Sequence, residues 1–509
     1  MEKEQVLVQE TTEIKEVKLS EQEIVRREKV QKLKEFGLDP FGQAYKRTHL
    51  SSELKELYGG KTHEELEEMA VEVSIAGRIM NNRGKGKVAF INIQDLGGNI
   101  QVYVRKDIIG EEVYDKVFKI ADIGDIVGIR GLVMITNTGE LTVKCLEFTH
   151  LSKALRPLPE KFHGLTDVEE RTRRRYVDLI MNETSKKNAI MRPRIIRAIQ
   201  NYFDSRGYME VETPVLQPIL GGAAARPFVT HHNTLDMEFY LRIATELPLK
   251  KLLVGGLERV YEIGRLFRNE GMDATHNPEF TTIEAYMAYG DMYDMMDIAE
   301  GMFREVSMKV LGTNMVPRGD VVIDLESPFK RIDMVDFVYQ ESGVNFREIY
   351  DFEEAKKLAL ERGMEVPPHY NGVGHIVNMF FEEYCENKIV QPTFVTGHPI
   401  EISPLAKKNP EDPRYTLRFE LFILGKEYAN AFTELNDPID QRERFEAQLK
   451  ERELGNDEAN QMDTDFVEAL EYGMPPAGGI GIGIDRFIML LTNTTSIREV
   501  LLFPHMKNR

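Results

Sequence analysis

One segment in the second half of the chain would place charged groups together on a face of a β-sheet. RVYEIGRLFRNEGMDATHNPEFTTIEAYMAYG is typical of a strand, a polar loop and a second strand. Because side chains alternate between the faces of a strand, Arg268 and Glu270 are predicted to share one face of the first strand. The shared face of the second strand is predicted to carry Phe280, Thr282, Glu284 and Tyr286. An arginine fork donates two hydrogen bonds to a phosphate or carboxylate, so this face is predicted to be the floor of a ligand site; a structural Arg–Glu ion pair is the alternative.

A second hairpin, TLRFELFILGKEYANAFTELNDP, turns around Gly425. Asn430, Phe432 and Glu434 follow one another at intervals of two, so all three are predicted to point to one face. Glu420 and Glu427 lie on either side of the turn. Two carboxylates beside a polyphosphate are what Mg²⁺ requires, and the alternative is a pair of surface acids on an edge hairpin.

The third segment is glycine-rich and precedes a helix. MPPAGGIGIGIDRFIML is typical of a strand interrupted by Gly481 and Gly483 and followed by a helix that opens at Asp485 and Arg486. Glycine lets the backbone approach a ligand closely, and a helix start favours anions. A dinucleotide-binding unit is disfavoured because the chain ends soon afterwards, without the βαβ unit that such a site needs.

A long α/β region from residue 168 to the end must position these three segments. It is predicted to begin with a helix that ends at Gly207 and buries one apolar stripe. The stripe comprises Ile195, Ile196, Ile199, Tyr202 and Phe203. Pro193 lies inside this helix, which is therefore predicted to kink or to start afresh there.

Residues 71–150 have a different pattern of short alternating or β-branched runs. The order is three strands, a helical stretch and two strands, which predicts an OB-fold barrel. Barrels of this kind hold single-stranded nucleic acid on a strand face, although ten basic and ten acidic residues leave this one neutral. Arg78, Phe90 and Gln94 are the candidate contacts, and a core position is the alternative for Phe90.

The chain has 509 residues, more than one hydrophobic core usually supports, and its 65 basic and 84 acidic residues give a net charge of −19. Such a charge repels polyanions at long range, so a nucleic acid would need local patches. Cys145 and Cys385 are too far apart in sequence to suggest a disulfide framework or a zinc site. No signal peptide and no long apolar run is present, which predicts a cytoplasmic protein without a membrane segment.

The flanking segments are less informative. Residues 1–20 are predicted to be a loose tail, and a helix with a basic face is predicted from Glu21 to Phe36, with its apolar side formed by Ile24, Val25, Val30 and Leu33. Residues 151–167, which contain Pro157, Pro159 and Gly164, are predicted to be a linker.

Three stretches of the chain resemble, in chain order, the signature motifs of class II aminoacyl-tRNA synthetases. RGYMEVETPVL resembles motif 1, FRNEG with HNPEFT resembles motif 2, and GIGIGIDR resembles motif 3. GGAAARPF, TELPLK, ANAFTELNDP and LFPHMK are similar to the lysine-specific group of subclass IIb. The resemblance covers residues 70–509. It implies an α+β protein in which an N-terminal OB-fold β-barrel precedes a catalytic domain built on an antiparallel sheet flanked by helices.

The domain division that follows is 1–70 for the N-terminal tail and helices, 71–150 for an anticodon-binding OB-fold, 151–167 for the linker and 168–509 for the catalytic domain. The implied partners are L-lysine, ATP, tRNA(Lys) and a second copy of the chain, with Mg²⁺ as cofactor. The implied alternatives are an aspartyl or asparaginyl ligase of the same subclass, and a non-catalytic amino-acid sensor or RNA-binding protein of the same fold.

The resemblance also implies roles for individual residues. Arg268 would bridge the α-phosphate of ATP and the substrate carboxylate, and Arg486 would hold the γ-phosphate. The other ATP contacts would be Glu270, His276, Asn277 and Phe280, with Glu420 and Glu427 as magnesium ligands. Lysine would be bound by Gly222, Glu246, Arg268, Glu284, Tyr286, Asn430, Phe432 and Glu434. Arg78, Phe90 and Gln94 would contact the anticodon.

Overall fold

A computed structural model describes residues 19–42, 44–159, 165, 167–456 and 458–507. The predicted tail therefore lies almost wholly outside the described residues, as does part of the predicted linker. The chain divides into two compact units, Met1–Gly164 and Leu165–Arg509. No helix in the described part of the chain is long and apolar enough to cross a membrane.

The first unit contains a closed five-stranded barrel in the order β1-β2-β3-β5-β4, which confirms the predicted OB-fold. Buried and more exposed residues alternate along β2 and β3, so every second side chain points into one core. Closing the sheet around that core leaves no unpaired strand edge. The strands are β1 Glu72–Lys85, β2 Val88–Gln94, β3 Asn99–Arg105, β4 Ile126–Ile135 and β5 Leu141–Ser152.

The helices of this unit surround the barrel. They are α1 Glu21–Glu35, α2 Ser51–Tyr58, α3 His63–Met69, α4 Lys106–Ile109 and α5 Glu111–Val113, followed by a π-helical turn at Tyr114–Phe118. The expectation for α1 is partly wrong: Leu33 is buried, but Ile24 and Val25 are exposed, and the inward group from the basic face is Arg26. Its guanidinium donates to the carbonyl oxygens of Ala154 and Ile123, which compensates for the burial of its charge.

The chain remains tied to the barrel beyond residue 150, inside the segment predicted to be a linker. Strand β5 continues to Ser152. Lys153 is fully buried, and its ammonium lies 2.5 Å from Asp122 and 2.7 Å from Asp125. These ion pairs hold the end of β5 against the loop that precedes β4.

The second unit is built on an eight-stranded sheet in the order β14-β15-β16-β17-β18-β11-β10-β6. The two outermost pairings are parallel and the five between them are antiparallel. Two small sheets, β7-β9-β8 and β12-β13, accompany it. The strands are β6 Met209–Glu210, β7 Leu216–Gln217, β8 Val229–His232, β9 Met237–Leu241, β10 Arg259–Phe267, β11 Glu279–Ala288, β12 Met315–Arg318, β13 Val321–Asp324, β14 Lys330–Asp333, β15 Thr393–Thr396, β16 Arg418–Ile423, β17 Lys426–Thr433 and β18 Ala477–Gly483.

One face of this sheet is sealed by a hydrophobic core that includes α8 and α10. The helices of the unit are α6 Val168–Arg173, α7 Arg175–Met181, α8 Glu183–Asp204, α9 Glu246–Val254, α10 Met292–Leu311, α11 Met334–Ser342, α12 Phe352–Glu361, α13 Val373–Tyr384, α14 Pro438–Glu453, α15 Thr464–Glu471 and α16 Ile484–Leu491. Helix α8 buries the predicted stripe, with Ile196 only partly covered, and it continues through Pro193 rather than starting afresh there. Because alternate residues of β11, β17 and β18 enter this core, the other face of the sheet is left for a site.

Candidate active site

The open face of the sheet forms the floor of a cavity of about 630 Å³. All of the ligand-binding residues predicted in the second unit line it, except Glu434. Those that line it are Gly222, Glu246, Arg268, Glu270, His276, Asn277, Phe280, Glu284, Tyr286, Glu420, Glu427, Asn430, Phe432 and Arg486. The structure therefore brings together three segments that are far apart in sequence.

Arg268 and Glu270 lie in a loop, so the prediction that they share a strand face is wrong. Strand β10 ends at Phe267, and the Arg268 backbone N–H donates to the carbonyl oxygen of Pro278 at 2.8 Å, which draws the two ends of the loop together. The Arg268 guanidinium lies 5.2 Å from the centre of the Phe280 ring, and its buried Nε has no hydrogen-bond partner among the described residues. A planar cation beside an aromatic ring, with a free donor, suits an anionic ligand that carries a ring.

The same loop holds His276 and Asn277 by local hydrogen bonds. The His276 ring Nδ1 is 2.8 Å from a carboxylate oxygen of Asp273, and the His276 backbone N–H donates to the same side chain. The Asn277 side-chain amide donates to the carbonyl oxygen of Glu279. These contacts fix the loop against the start of β11.

The predicted alternation along β11 is confirmed. Ile283 and Ala285 enter the hydrophobic core, whereas Glu284 and Tyr286 point to the cavity. Glu284 accepts hydrogen bonds from the Thr245 backbone N–H at 3.0 Å and from the Tyr286 hydroxyl at 3.1 Å. Burial raises the pKa of Glu284 to about 7, and the nearby Glu246 adds to this shift.

Glu246 and Glu434 share a cation that sequence analysis overlooked. Lys250 is fully buried one helical turn after Glu246, and its ammonium lies 2.6 Å from a Glu246 oxygen and in ion-pair contact with Glu434. Glu434 is also fully buried and lies just beyond the end of β17. It therefore stands behind the cavity lining and not on it, whereas Asn430 and Phe432 are on the lining as expected.

A β-bulge determines where Glu427 points. Strands β16 and β17 pair Leu421 with Ala429 but Phe422 with Glu427, which leaves Tyr428 as an extra residue on β17. Without the bulge, Glu427 and Asn430 would be on opposite faces, since they are three residues apart. Tyr428 packs in the core instead, and Glu427 turns toward the cavity.

Glu420 and Glu427 form the predicted pair of carboxylates. Solvent reaches the Glu427 side chain, but the surrounding protein desolvates its carboxylate and raises its pKa, and the negative charge of Glu420 raises it further. Arg418, which sequence analysis missed, donates to Glu420 at 2.6 Å and to Asn430 at 3.0 Å. No cluster of three or more metal-binding side chains occurs among the described residues, so a cation held by this pair would need oxygens from a ligand as well.

The glycines of β18 leave room for the acidic side chains opposite. A Cβ atom on Gly479 would overlap an oxygen of Glu434 and the ring of Tyr286, so only glycine fits there. Gly222, which also lines the cavity, has a φ of +89°, a backbone conformation that glycine adopts without strain. After β18 the chain enters α16, where the Arg486 guanidinium donates to the carbonyl oxygen of Glu427.

The remaining wall was not predicted. It includes His375 of α13, whose ring stacks on Tyr370 at 4.4 Å between centres and lies 3.9 Å from Glu451 of α14. Burial lowers the pKa of His375 to about 4, so the ring is neutral at physiological pH. No motif in these segments distinguishes them from ordinary amphipathic helices.

The barrel of the first unit carries the other predicted contacts on one outer face. Arg78 of β1 is paired in register with Gln94 of β2, and the Arg78 guanidinium donates to the carbonyl oxygen of Gly124. Phe90 is only partly buried, and its ring stacks on Tyr103 of β3 with centres 4.8 Å apart. The prediction missed Tyr103, which extends the aromatic surface.

Two family models match the chain. One, described as tRNA synthetases class II (D, K and N), matches residues 167–507, and the other, described as an OB-fold nucleic acid binding domain, matches residues 73–151. The chain is 62% identical to the lysine–tRNA ligase of Lysinibacillus sphaericus over 490 residues, which are 96% of this chain and 98% of that protein. It is 60% identical to the lysine–tRNA ligase of Enterococcus faecalis over 489 residues and 59% identical to that of Bacillus cereus over 491, with the same coverage of 96% and 98%.

Proposed function

The chain belongs to the class II tRNA synthetases of the aspartate, lysine and asparagine group, and we propose that it activates L-lysine with ATP and transfers the lysyl group to tRNA(Lys). The observation that carries the choice of lysine is a cluster of three buried carboxyl groups, those of Glu246 and Glu284 on the cavity lining and that of Glu434 behind it. A buried carboxylate requires a cation, and lysine brings two ammonium groups.

An aspartate- or asparagine-specific ligase fits this cavity less well. An aspartate side chain would need a free cation, but the ammonium of the nearest buried lysine, Lys250, is already held by Glu246 and Glu434. Three carboxylates would repel an anionic side chain in a partly desolvated site. A non-catalytic sensor is also disfavoured, because Arg268, Glu420, Glu427 and Arg486 are all present at the cavity.

ATP is the co-substrate of this family, and the cavity has the groups to bind it. We assign Phe280 to stack on the adenine, Arg268 to bridge the α-phosphate and the lysine carboxylate, and Arg486 to hold the γ-phosphate. Glu270, His276 and Asn277 would hold the nucleotide from the loop between β10 and β11. The cation–π contact between Arg268 and Phe280 supports this assignment, since it places the phosphate-binding cation beside the ring-binding surface.

We further assign Mg²⁺ to Glu420 and Glu427. The fit rests on two adjacent carboxylate side chains, Glu420 and Glu427, where burial and then the charge of Glu420 raise the pKa of Glu427. It also rests on the preference of Mg²⁺ for one or two protein carboxylates plus phosphate oxygens. When bound, the ion would neutralise phosphate charge. The contribution of the chain itself is to hold these oxygens, with Arg418 fixing Glu420.

The reaction needs no protein nucleophile. A lysine carboxylate oxygen attacks the α-phosphorus in line, a P–O bond forms, and pyrophosphate leaves with the electrons of the broken bond. A hydroxyl of the terminal ribose of tRNA then attacks the acyl carbon of the adenylate, and AMP leaves. Positioning and charge neutralisation are the main contributions that the protein can make to such a transfer.

In the barrel, we assign Arg78, Phe90 and Gln94 to the anticodon. One face presents an aromatic ring, a cation and an amide, which can stack on a base, contact a phosphate and read a base edge.

In the cavity of the second unit, the residues assigned to lysine also include Gly222, Tyr286, Asn430 and Phe432.

We also propose a homodimer located in the cytoplasm. The short edge strand β6 and the segment after it expose Met209, Val215 and Leu216, and apolar side chains at a sheet edge are suited to a subunit contact. Sedimentation velocity and cell fractionation test the two statements separately.

The test of the function is ATP–pyrophosphate exchange with each of the twenty amino acids in turn. Lysine alone should drive exchange at low concentration, with Mg²⁺ required and tRNA not required. Exchange driven equally by aspartate or asparagine would overturn the choice of lysine. Complete absence of exchange by folded protein would overturn the catalytic assignment and favour a sensor.

A further inference from the structure

Lys250 is an internal ammonium group placed between Glu246, which lines the cavity, and Glu434, which lies behind the lining. It is fully buried, lies 5.2 Å from the centre of the Phe432 ring and 6.0 Å from that of Phe466, and pairs with both Glu246 and Glu434. It does not itself line the cavity. The proposed function gives it no role.

Stability alone does not explain a lysine at this position. Fully buried lysines are rare, and a buried ion pair often contributes less to stability than apolar side chains of similar volume. The surroundings include the rings of Phe432 and Phe466, which would accept an apolar residue. A buried ammonium group at a position suited to an apolar residue indicates that the charge of Lys250 has a function other than stability.

The second observation is Glu434. Both of its carboxylate oxygens are buried, and within the described part of the chain no group other than the Lys250 ammonium pairs with them. A carboxylate with two buried oxygens and only one partner has capacity for another cation.

Charge balance links these two observations. Glu246, Glu284 and Glu434 supply three carboxylates, and Lys250 supplies one ammonium. If all four groups are ionised, two negative charges remain, which equals the number of ammonium groups on lysine. The carboxylate of lysine has a separate partner in Arg268.

We propose that Lys250 is a positioning residue for amino-acid recognition, a fixed counter-ion that aligns Glu246 and Glu434 and favours their ionised forms, so that the cavity accepts a ligand with two ammonium groups. This inference rests on the proposed function, because it concerns how the same site selects lysine. Lys250 would act through Glu246 and Glu434 and would not itself touch the substrate.

The protonation of the carboxylates supports this role. Burial raises the pKa of Glu434 to about 8, and Lys250 limits that rise whereas Glu246 and Glu284 add to it. Burial likewise raises the pKa of Glu246, on which Lys250 and then Arg418 act in the opposite direction. From β11, the charged or titratable groups that face the cluster are Glu284 and Tyr286. Without Lys250, these carboxylates would hold their protons to a higher pH, and a protonated carboxyl does not attract an ammonium group.

The expected consequence is a shift in the pH dependence of lysine binding. In the unaltered protein, the KM for lysine should fall as pH rises through 7 to 8, because Glu284 and Glu434 then ionise. In Lys250→Met the same fall should occur at least about one pH unit higher, since one unit of pKa is a tenfold change in the ionised fraction.

The experiment measures the KM for lysine and for ATP by pyrophosphate exchange from pH 6.5 to 9.5 in the full-length protein. Lys250→Met is compared with Lys251→Met, which removes the next lysine of the same helix, one that pairs with the exposed Asp465. We expect Lys250→Met to raise the KM for lysine about tenfold or more near pH 7, with the difference narrowing toward pH 9 and the KM for ATP unchanged. Lys251→Met should follow the unaltered protein.

A KM for lysine that changes by the same factor at every pH would overturn the proposal, because packing alone would then explain the effect. If Lys250→Met does not fold, Glu434→Gln is compared with Lys250→Met/Glu434→Gln, in which only Glu246 has lost its counter-ion. A shift of the KM–pH profile for lysine to higher pH in the double variant supports the proposal. Coincident profiles for the two variants overturn it. Failure of the proposed function is distinguishable, because lysine would then not drive exchange in the unaltered protein at any pH.

Discussion

Asp485 accepts hydrogen bonds from both Arg192 and Thr281, and so joins helix α8 to the second and third motif segments of the catalytic unit. Arg192 of α8 donates to one Asp485 oxygen at 2.5 Å and to the Thr281 hydroxyl at 2.9 Å, while the Thr281 backbone N–H donates to the other Asp485 oxygen at 2.7 Å. The neighbours of these residues in sequence are Phe280 and Arg486, to which we assign ATP. The geometry of the nucleotide site therefore depends on Arg192, which does not line the cavity.

Arg192→Met should lower kcat for pyrophosphate exchange and raise the KM for ATP, with less effect on the KM for lysine. The substitution leaves the buried Asp485 carboxylate without its cation, which typically costs about 3 to 5 kcal/mol. Steady-state kinetics at 25 °C with a thermal melt of the same sample measure both effects. Arg194→Met, at an exposed position of the same helix, is the control. Loss of stability with unchanged ATP kinetics would contradict a positioning role.

Glu427→Gln should raise the Mg²⁺ concentration needed for half-maximal exchange about tenfold or more, because it removes one of the two negative charges offered to the ion. Titration with MgCl₂ at saturating lysine and fixed ATP measures this. Glu411→Gln, at an exposed carboxylate outside the cavity, should leave the requirement unchanged. An identical Mg²⁺ dependence in Glu427→Gln would remove this residue from the metal site.

Phe90→Ala should weaken charging of tRNA while pyrophosphate exchange stays nearly intact, since the barrel and the sheet belong to different compact units. The loss of one stacking surface typically costs about 1 to 3 kcal/mol. The ratio of kcat/KM for tRNA to that for exchange measures the effect, with Leu96→Ala as an exposed apolar control in the same barrel. Parallel loss of both activities would mean that Phe90 is a structural residue, supported by its stacking on Tyr103.

Lys153→Met should destabilise the barrel. It would leave the fully buried Asp125 without its lysine partner, at a cost of about 3 to 5 kcal/mol, whereas Asp122 would keep its ion pair with Lys29. Hydrogen exchange of the barrel strands in the full-length protein measures this without requiring the whole chain to unfold in one step. Lys119→Met, which removes an exposed ion pair with Asp115, should cost much less. Equal protection of the barrel in both variants would contradict the expectation.

The same cluster predicts a pH dependence of barrel stability. Burial would raise the pKa of Asp125, but hydrogen bonds from His150 and Lys153 outweigh it and hold the pKa below its ordinary value. A carboxyl with a depressed folded pKa contributes stability above its unfolded pKa, near 4, and the contribution is lost as pH falls toward the folded pKa. The protection of the barrel amides from hydrogen exchange should therefore decrease below about pH 4, and this decrease should be less steep in Lys153→Met.

The alternation of apolar and polar residues along the chain predicted much of the fold and part of the site. The five barrel strands and the face of β11 that carries Glu284 and Tyr286 were predictable because apolar residues recur at every second position. Helix α8 could be placed by its stripe, although its course through Pro193 could not.

The errors have local causes. Arg268 was assigned to a strand because alternation continues in the sequence after β10 has ended at Phe267. Lys250 was missed because a lysine in an amphipathic helix is ordinarily at the surface, and its burial depends on Glu434, which is far away in sequence. The direction of Glu427 could not be derived from spacing, since a bulge leaves no signature in a residue count.

That bulge makes the hairpin unusually tolerant of a change in length. Deleting Tyr428 would restore unbroken pairing between β16 and β17 and would leave Glu427 adjacent to Ala429, hence still on the same face as Asn430. What the deletion removes is an aromatic ring that contacts Phe303 on the opposite side of the sheet, with ring centres 6.2 Å apart. Loss of this single codon would thus leave a void beneath the sheet, whereas Glu427 above the sheet would keep its orientation.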